Sequence, residues 1–310
     1  MLLLRLALLC SALLPAALLA APQDFGRAKV EARQHVYHDR NEIGDAYCGC
    51  TWQWAGRSGG RVDLAGCGYR IRAQPNRAQR IEWEHIVPAS SFGRQRQCWQ
   101  QGGRAHCTAT DPVFSAMEAD LHNLTPVVGE VNADRSNYDF GMLPGVPPRH
   151  GQCDVRVDFA GRTMQPPAAF RGQIARTYFY MADRYDLRLA PAQQRLLMAW
   201  HRQHPVSAWE RERNQRIQVR MGHGNLFVTG EREWQLHHRN SREGLISSLP
   251  SATTPPVSAQ PAPAHGNRNS RIYHLPDCPG YTAMADRNRV LFTSAAAAEA
   301  AGYRKALNCP

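Results

Sequence analysis

The residues best suited to chemistry are an adjacent carboxylate and imidazole, Glu84 and His85, within the segment Glu82–Pro88. A carboxylate is a hard oxygen ligand that suits Mg²⁺ or Ca²⁺. An imidazole with an ordinary pKa of about 6.5 can accept a proton from water at neutral pH. A distant amide, Asn132 in the segment Gly129–Asn137, can supply a second oxygen to the same ion. Together these residue types predict a metal-dependent hydrolase of phosphodiesters.

Further polar residues lie beside these groups in the sequence. His122 and Asn123 are expected to hold the loop beside the metal rather than to react. Glu118 can orient a group that touches the metal, or it can form only a local ion pair. The same two interpretations apply to Asp134 and Arg135, and the sequence leaves both open.

The alternation of side chains predicts how the first pair is held. In the segment Ile81–His85, apolar or aromatic residues alternate with glutamates, which is typical of a β-strand. Such a strand places His85 on one face and Glu84 on the other. Because Pro88 disfavours a longer strand, both side chains can still reach one cleft where the strand ends.

The segments after this strand predict the rest of the frame. Asp111–Ala119 begins with Asp-Pro, a typical N-cap and first residue of a short helix. Residues 121–126 are predicted to form a loop, and residues 129–135 a short helix that projects Asn132. A two-stranded ribbon crossed by this helix would bring the imidazole and both candidate metal ligands together.

The second half of the main region predicts longer helices. Gln173–Asp186 and Pro191–His204 place apolar residues at helical spacing. Ser207 is a typical N-cap for a helix over Ala208–Met221, and Gly222 is a typical stop. Residues 45–86, in contrast, are rich in Gly, Cys and Trp, which predicts loops and short strands pinned by disulfides. The fold class is therefore α+β and helix-rich, with the site in its irregular part.

The amino terminus indicates export. Residues 1–20 combine one early arginine, Arg5, with an apolar run and small residues near Ala20, as in a signal peptide. Pro15 and the short run argue against a membrane span. We therefore expect a periplasmic or secreted soluble chain, monomeric, that starts near Ala21.

Cleavage at that point removes Cys10 and leaves an even number of cysteines in an oxidising compartment. These are Cys48, Cys50, Cys67, Cys98, Cys107 and Cys153 in the first half, and Cys278 and Cys309 near the end. The simplest expectation is three disulfides in the first group and one in the second. Cys98 with Cys107 is a plausible local pair, because two glycines between them let the chain turn. Zinc bound by Cys48, Cys50 and Cys67 is the alternative.

The net charge indicates the kind of partner. The full sequence carries +11 at pH 7, and almost all of its cationic side chains are arginines, because lysine occurs only at Lys29 and Lys305. A guanidinium can bind phosphate in a bidentate manner. We expect nucleic acid as the partner, with an acidic wall polymer or a merely solubilising surface as alternatives.

The composition also divides the chain. Residues 247–266 consist mainly of Ser, Thr, Ala and Pro, which cannot form a core and predict a semi-extended linker. The linker separates a main domain of residues 22–246 from a small module of residues 267–310.

Three ordered motifs resemble the endonuclease I family. They are Arg80–Ala89 (RIEWEHIVPA), Cys98–Arg104 (CWQQGGR) and Asp120–Pro126 (DLHNLTP) continuing to Asn137, and the resemblance extends over Phe25–Val228. Members of this family are nonspecific periplasmic or secreted nucleases of the ββα-metal, or His-Me finger, type. The resemblance thus implies an exported endonuclease that cuts DNA and can also cut RNA.

The resemblance also implies roles for particular residues. His85 would be the general base that activates water, and Glu84 with Asn132 would hold one Mg²⁺, for which Ca²⁺ or Mn²⁺ can substitute. Arg104 matches the arginine of the family that contacts the phosphate. The alternative is a catalytically silent protein of the same fold that only binds nucleic acid or a surface.

The small module resembles the zinc-binding amino-terminal domain of the Ada repair protein. His274 and Cys278 match the first two zinc ligands, Ala306 takes the third position and Cys309 matches the fourth. Since one ligand is missing and the compartment is oxidising, we expect a Cys278–Cys309 disulfide rather than Zn²⁺.

Overall fold

The main region combines short strands with helices of up to 18 residues. Its strands are β1 (Trp52–Ala55), β2 (Gly59–Val62), β3 (Arg80–His85), β4 (Leu124–Val128), β5 (Asp139–Phe140), β6 (Arg156–Asp158) and β7 (Thr163–Gln165). Its helices are α1 (Phe25–Glu31), α2 (Pro75–Ala78), α3 (Ala89–Gly93), α4 (Gln97–Gln100), α5 (Gly103–Thr110), α6 (Pro112–Ala119), α7 (Gly129–Arg135), α8 (Ala168–Tyr185), α9 (Pro191–Gln203), α10 (Ala208–Met221), α11 (Leu226–Thr229) and α12 (Glu243–Ser248). A π-helical turn at Ala32–Val36 continues α1, and a 3₁₀ turn at Leu121–Asn123 precedes β4.

This computed structural model describes residues 21–248, 263–276, 278, 280, 281, 283–306 and 309. The chain divides into two units, residues 1–249 and 250–310. The predicted signal peptide at residues 1–20 and residues 249–262 of the predicted linker lie outside the described residues. Among the helices that the structure describes, none is both long and apolar enough to cross a membrane.

A four-stranded antiparallel sheet in the order β1-β2-β3-β4 carries the site. In the central pair, Glu84 lies opposite Thr125 and His85 lies opposite Leu124. The prediction that residues 121–126 form a loop was wrong for 124–126, because these residues complete the ladder with β3 and are fully buried. A second, three-stranded sheet in the order β5-β7-β6 was not predicted.

The long helices follow the predicted caps. The Asp111 carboxylate accepts hydrogen bonds from the backbone at the start of α6, and the Ser207 hydroxyl does so at the start of α10. Gly222 ends α10 in the left-handed region, with φ of +78°, where glycine carries no Cβ penalty. Helix α8 begins at Ala168, five residues before the predicted start, and it is buried along most of its length. It forms the centre of the main core.

Two local disulfides and one long-range disulfide stabilise the main unit. The pairs are Cys48–Cys153, Cys50–Cys67 and Cys98–Cys107. The first closes 105 residues and joins the loop before β1 to the segment before β6. The Asp45 carboxylate accepts hydrogen bonds from the backbone of Tyr47, Cys48 and Cys50, so the doubly bridged loop is also held by its own amides.

The second unit contains a small mixed sheet. Its elements are β8 (Ala264–Asn267), β9 (Ile272–His274), β10 (Arg289–Phe292), α13 (Ala295–Ala300) and β11 (Arg304–Lys305), with a 3₁₀ turn at Asp286–Asn288. The strand order is β10-β8-β9-β11, and Tyr273, Ala298 and Tyr303 form its core. Strand β8 begins three residues inside the predicted linker, because Ala264 pairs with Phe292 of β10. Cys278 and Cys309 form a disulfide.

Candidate active site

The candidate residues line one open cleft of about 640 Å³ in the main unit. Its walls come from helices α1, α3, α5 and α7, from strand β3 and from the turn between β1 and β2. Among its lining residues are Phe25, Lys29, Glu82, Glu84, His85, Arg104, Asn132 and Arg135. The four residues to which the sequence assigns catalysis or metal binding are thus brought together.

The β3–β4 ribbon and helix α7 hold three of these four residues. Strand β3 ends at His85, so Glu84 and His85 both reach the cleft although a strand points them to opposite faces. Helix α7 starts directly after β4 and carries Asn132 in its second turn. This is the arrangement of ribbon and helix that the sequence predicts.

The His85 ring is fixed and almost fully enclosed. Its Nε2 lies 2.9 Å from the backbone oxygen of Glu118, and the Phe25 ring lies 4.5 Å from it, centroid to centroid. A carbonyl oxygen can only accept, so Nε2 carries the proton and Nδ1 is left as the basic nitrogen. Burial lowers the pKa of His85 to about 4, and the Arg104 guanidinium adds to this. The imidazole is therefore neutral at pH 7 and able to take a proton.

The Glu84 carboxylate is buried beside a buried guanidinium. Tyr47 donates to its Oε1 at 3.0 Å, and Arg135 Nη1 lies 2.8 Å from the same oxygen. Burial raises the pKa of Glu84, and the charge of Arg135 opposes that rise. In the hydrogen bonds of the described residues, no donor addresses Glu84 Oε2.

Arg135 does more than form a local ion pair. Its two terminal nitrogens donate to the carbonyl oxygens of His85 and Ile86 at 2.8 and 2.6 Å. The side chain is 1% exposed and packs over the Phe140 ring. Of the two interpretations open for this residue, the geometry favours orientation of the Glu84–His85 segment.

The Asn132 amide is held by a third acidic residue. Its Nδ2 donates to Glu82 Oε2 at 2.9 Å, which leaves its carbonyl oxygen for another ligand. Arg77 and Arg80 also donate to Glu82. Burial raises the pKa of Glu82, but the hydrogen bonds of its two arginines and the amide together hold it below its ordinary value.

Arg104 reaches the cleft from helix α5. Its Nε donates to Glu118 Oε1 at 2.5 Å, and Thr108 donates to the other oxygen of that carboxylate. The Glu118 side chain is 3% exposed and the Arg104 side chain 51%. The buried carboxylate thus anchors an arginine that remains open to a ligand.

Comparison with known proteins identifies the main unit. A model of the family described as Endonuclease I matches residues 24–231, about two thirds of the sequence. The chain belongs to the endonuclease I family. It is accordingly an endonuclease, and its cleft lies within the matched region.

Individual relatives of this endonuclease are also named as nucleases. It is 52% identical over 183 residues to an extracellular deoxyribonuclease of Aeromonas hydrophila, which covers 59% of this chain and 80% of that protein. It is 50% identical over 183 residues to a periplasmic deoxyribonuclease of the same species, covering 59% and 76% of the two chains. To the Endonuclease-1 of Buchnera aphidicola subsp. Acyrthosiphon pisum it is 43% identical over 206 residues, covering 66% and 80%.

The small unit of the endonuclease matches a different model. Residues 249–305 match a family described as ArfC, so the resemblance to the Ada domain is not confirmed. His274, Cys278 and Cys309 place their ligand atoms within 4.8 Å of one another. The Cys278–Cys309 disulfide occupies both sulfurs of this group. In a second group of similar spacing, Asp45 with Cys48 and Cys50, both sulfurs are likewise in disulfides.

Two of the suggested neighbours lie outside the cleft of the endonuclease. Asn123 accepts from the Val87 amide at 2.7 Å and donates to the Val87 carbonyl at 3.0 Å, so it clamps the chain after β3. His122 is fully buried against Tyr180, and burial lowers its pKa to about 3. Both positions agree with the expected loop-holding roles.

The contacts of Asp134 bear on its two interpretations, orientation of a group that touches the metal or a local ion pair. Arg72 donates to both of its oxygens at 2.6 Å, and His150 Nε2 lies 2.8 Å from Oδ2. These partners come from the loop before α2 and the segment before β6, so Asp134 joins loops rather than orienting a cleft residue.

Sequence reasoning missed Phe25, Tyr47 and Glu82 as members of the site. Glu82 had a usable signal, because residues two apart on a strand share a face and Glu84 was already a candidate. Phe25 and Tyr47 had none, since they approach His85 and Glu84 only through tertiary packing.

Proposed function

We propose that the chain is an exported, Mg²⁺-dependent endonuclease that hydrolyses DNA phosphodiesters without sequence preference, on a site of the ββα-metal or His-Me finger type. The observation that carries this proposal is a fixed imidazole that lines one cleft together with two candidate oxygen ligands and an arginine. In that cleft, Nδ1 is the basic nitrogen of His85 because its Nε2 is committed to the Glu118 carbonyl.

The donor set suits one small hard cation. Among the described residues, no protein donor bonds to Glu84 Oε2 or to the side-chain oxygen Oδ1 of Asn132, and the hydrogen bonds that fix these side chains use their other polar atoms. Mg²⁺ takes one or two protein oxygens and fills its other positions with water and phosphate. When bound, the ion would supply positive charge to the phosphate and the departing oxygen.

His85 would accept the proton of the attacking water. A water molecule within reach of Nδ1 would lose its proton to that nitrogen as it attacks phosphorus. The Glu118 carbonyl keeps the other nitrogen protonated and fixes the ring plane. Phe25 covers the ring and keeps it from tilting away.

Arg104 would stabilise the negative charge that develops on the phosphate. Its guanidinium is half exposed in the cleft and anchored through Nε, so its terminal nitrogens are available to phosphate oxygens. A guanidinium can pair with two such oxygens at once. Fixed donors of this kind stabilise a charged transition state without reorganisation.

Substrate and location follow from the same features. Contacts to phosphate carry no base information, so little sequence preference is expected. Relatives at 50 and 52% identity are named deoxyribonucleases of the periplasm or the extracellular space. The disulfide bonds fit an oxidising compartment of that kind. Cleavage of RNA remains a further expectation of the same phosphate chemistry.

A plasmid-nicking assay with purified protein tests the proposal. Wild-type protein should nick in Mg²⁺ and stop in EDTA, and His85→Ala should lose at least about 100-fold in rate. The exposed His38→Ala serves as a matched control and should keep its rate. Full activity of His85→Ala would remove the base assignment, and wild-type protein that binds plasmid without nicking it would establish the silent alternative.

A further inference from the structure

The small unit carries its own concentration of arginines at one end of its sheet. The register aligns Arg289, Asn267, Ile272 and Arg304 in one row across the four strands. The hairpin between β8 and β9 projects from this end with the sequence Arg-Asn-Ser-Arg, residues 268–271. The 3₁₀ turn that precedes β10 adds Arg287.

Backbone hydrogen bonds fix these segments to one another. The Arg268 amide donates to the Asn288 carbonyl at 2.8 Å, and the Arg304 amide donates to the Arg271 carbonyl at 2.9 Å. The Arg271 guanidinium lies over the Tyr303 ring, 5.0 Å from its centroid. We call the four exposed residues Arg268, Arg271, Arg287 and Arg304 the arginine end.

The carboxylates of the unit do not neutralise this end. Asp286 pairs with Arg289, and Glu299 accepts from the Tyr273 hydroxyl at 2.7 Å. Within the described part of the unit, no carboxylate forms an ion pair with a member of the arginine end. Among the described residues, the side-chain partners of these four arginines are the Ala301 carbonyl and the Tyr303 ring, both contacted by Arg271, so four positive charges face solvent.

We propose that the arginine end is a second nucleic-acid site, which binds the phosphate backbone of duplex DNA. The sheet edge from which the arginine end projects is three strand spacings wide, about 14 Å. One strand of B-DNA carries one phosphate for every 3.4 Å or so of helix axis, so an edge of this width spans about four phosphates. The inference rests on the proposed function, because the cleft handles the same polyanion.

An anionic membrane is the less suitable partner. Peripheral membrane sites combine basic residues with exposed aromatic or aliphatic side chains that enter the lipid. The hairpin at this end offers asparagine and serine instead, which donate hydrogen bonds to phosphate. The exposed Leu291 of β10 pairs with His265 rather than with the row of arginines.

Binding of a labelled 30-base-pair duplex to the full chain tests the site, with His85→Ala as the parent so that the DNA stays intact. The quartet Arg268→Gln, Arg271→Gln, Arg287→Gln and Arg304→Gln should raise Kd at least about 10-fold near 100 mM salt. It should also flatten the slope of log K against log salt by about 2 to 4. Replacing four exposed main-unit arginines that form no ion pair, Arg149, Arg195, Arg202 and Arg239, removes equal charge and should leave Kd within about 3-fold.

Further arms separate the outcomes. The pair Arg268→Gln and Arg287→Gln spares the Arg271–Tyr303 packing and should give about half the change in slope. The proposal would be overturned if the quartet variant behaved like its charge control. It would also be overturned if the quartet variant lost binding to vesicles of anionic lipid while its DNA affinity stayed unchanged. On the catalytically intact background, the quartet should raise KM for plasmid and keep kcat. Failure of the catalytically intact chain to nick would reject the proposed function alone, because the duplex Kd is measured independently on the His85→Ala background.

Discussion

Glu118 serves two groups of the site with two parts of one residue. Its backbone oxygen fixes the protonated nitrogen of His85, and its buried carboxylate anchors Arg104. The sequence offered orientation or a local ion pair as alternatives, and the ion pair with Arg104 itself orients a cleft residue. The proposed base and the proposed phosphate-binding arginine are therefore positioned relative to each other by one residue at the end of α6, through its backbone oxygen and its side chain.

Glu118→Gln should lower kcat by about 10- to 100-fold, because the Arg104 fork loses its charged anchor and a small misplacement is costly in a preorganised site. Steady-state rates on plasmid in Mg²⁺ measure this. Thr108→Val removes the other hydrogen bond to the same carboxylate and should cost less than about 3-fold, as neutral hydrogen bonds contribute modestly. Equal losses in the two variants would show that the anchor is not electrostatic.

At the level of elements, local signals were sufficient where a helix has its own caps. Asp111, Ser207 and Gly222 mark boundaries that the structure reproduces. Strand β4 was missed because Leu124–Val128 has no alternation: it is buried on both faces, so its pattern is set by neighbours. The Cys48–Cys153 bridge likewise joins segments 105 residues apart, which local spacing does not encode. Residues of the candidate site could be predicted where they are adjacent in sequence, as at Glu84-His85. They could not be predicted where only tertiary packing brings them into the site.

The Cys98–Cys107 disulfide joins α4 to α5, the helix that carries Arg104. The paired change Cys98→Ser and Cys107→Ser should lower the free energy of unfolding by roughly 3 kcal/mol, the loop-closure contribution of a ring this short. Nicking should fall as well, because α5 is loosened. Urea unfolding and nicking rates measure the two effects. The matched pair Cys278→Ser and Cys309→Ser lies in the other unit and should leave nicking intact, so equal activity of all three proteins would remove the bridge from the mechanism.

The whole molecule has two charged regions, the cleft and the arginine end, and their electrostatic environments differ. The cleft buries Glu84 beside Arg135, where burial raises the pKa of the carboxyl group and the charge of Arg135 opposes that rise. The small unit exposes its arginines to solvent. The proposed divalent cation would relieve the first region, and the proposed DNA would suit the second. The overall basic charge of +11 is therefore compatible with the proposed cation site in a cleft where Glu82 and Glu84 lie beside Lys29, Arg104 and Arg135.

Cation binding in that pocket should be linked to global stability. Mg²⁺ at about 100 times its Kd should stabilise the folded protein by about 2.7 kcal/mol, because the unfolded chain lacks the paired oxygens. In a thermal scan this corresponds to a rise in Tm on the order of 5–10 °C for the main unit. His85→Ala keeps both oxygen ligands and should keep the rise while losing activity. Glu84→Gln and Asn132→Ala each remove a ligand and should reduce the rise, since one of the two proposed protein oxygens is lost. An unchanged rise in both ligand variants would place the cation elsewhere, and a loss in His85→Ala would make the imidazole a ligand instead of a base.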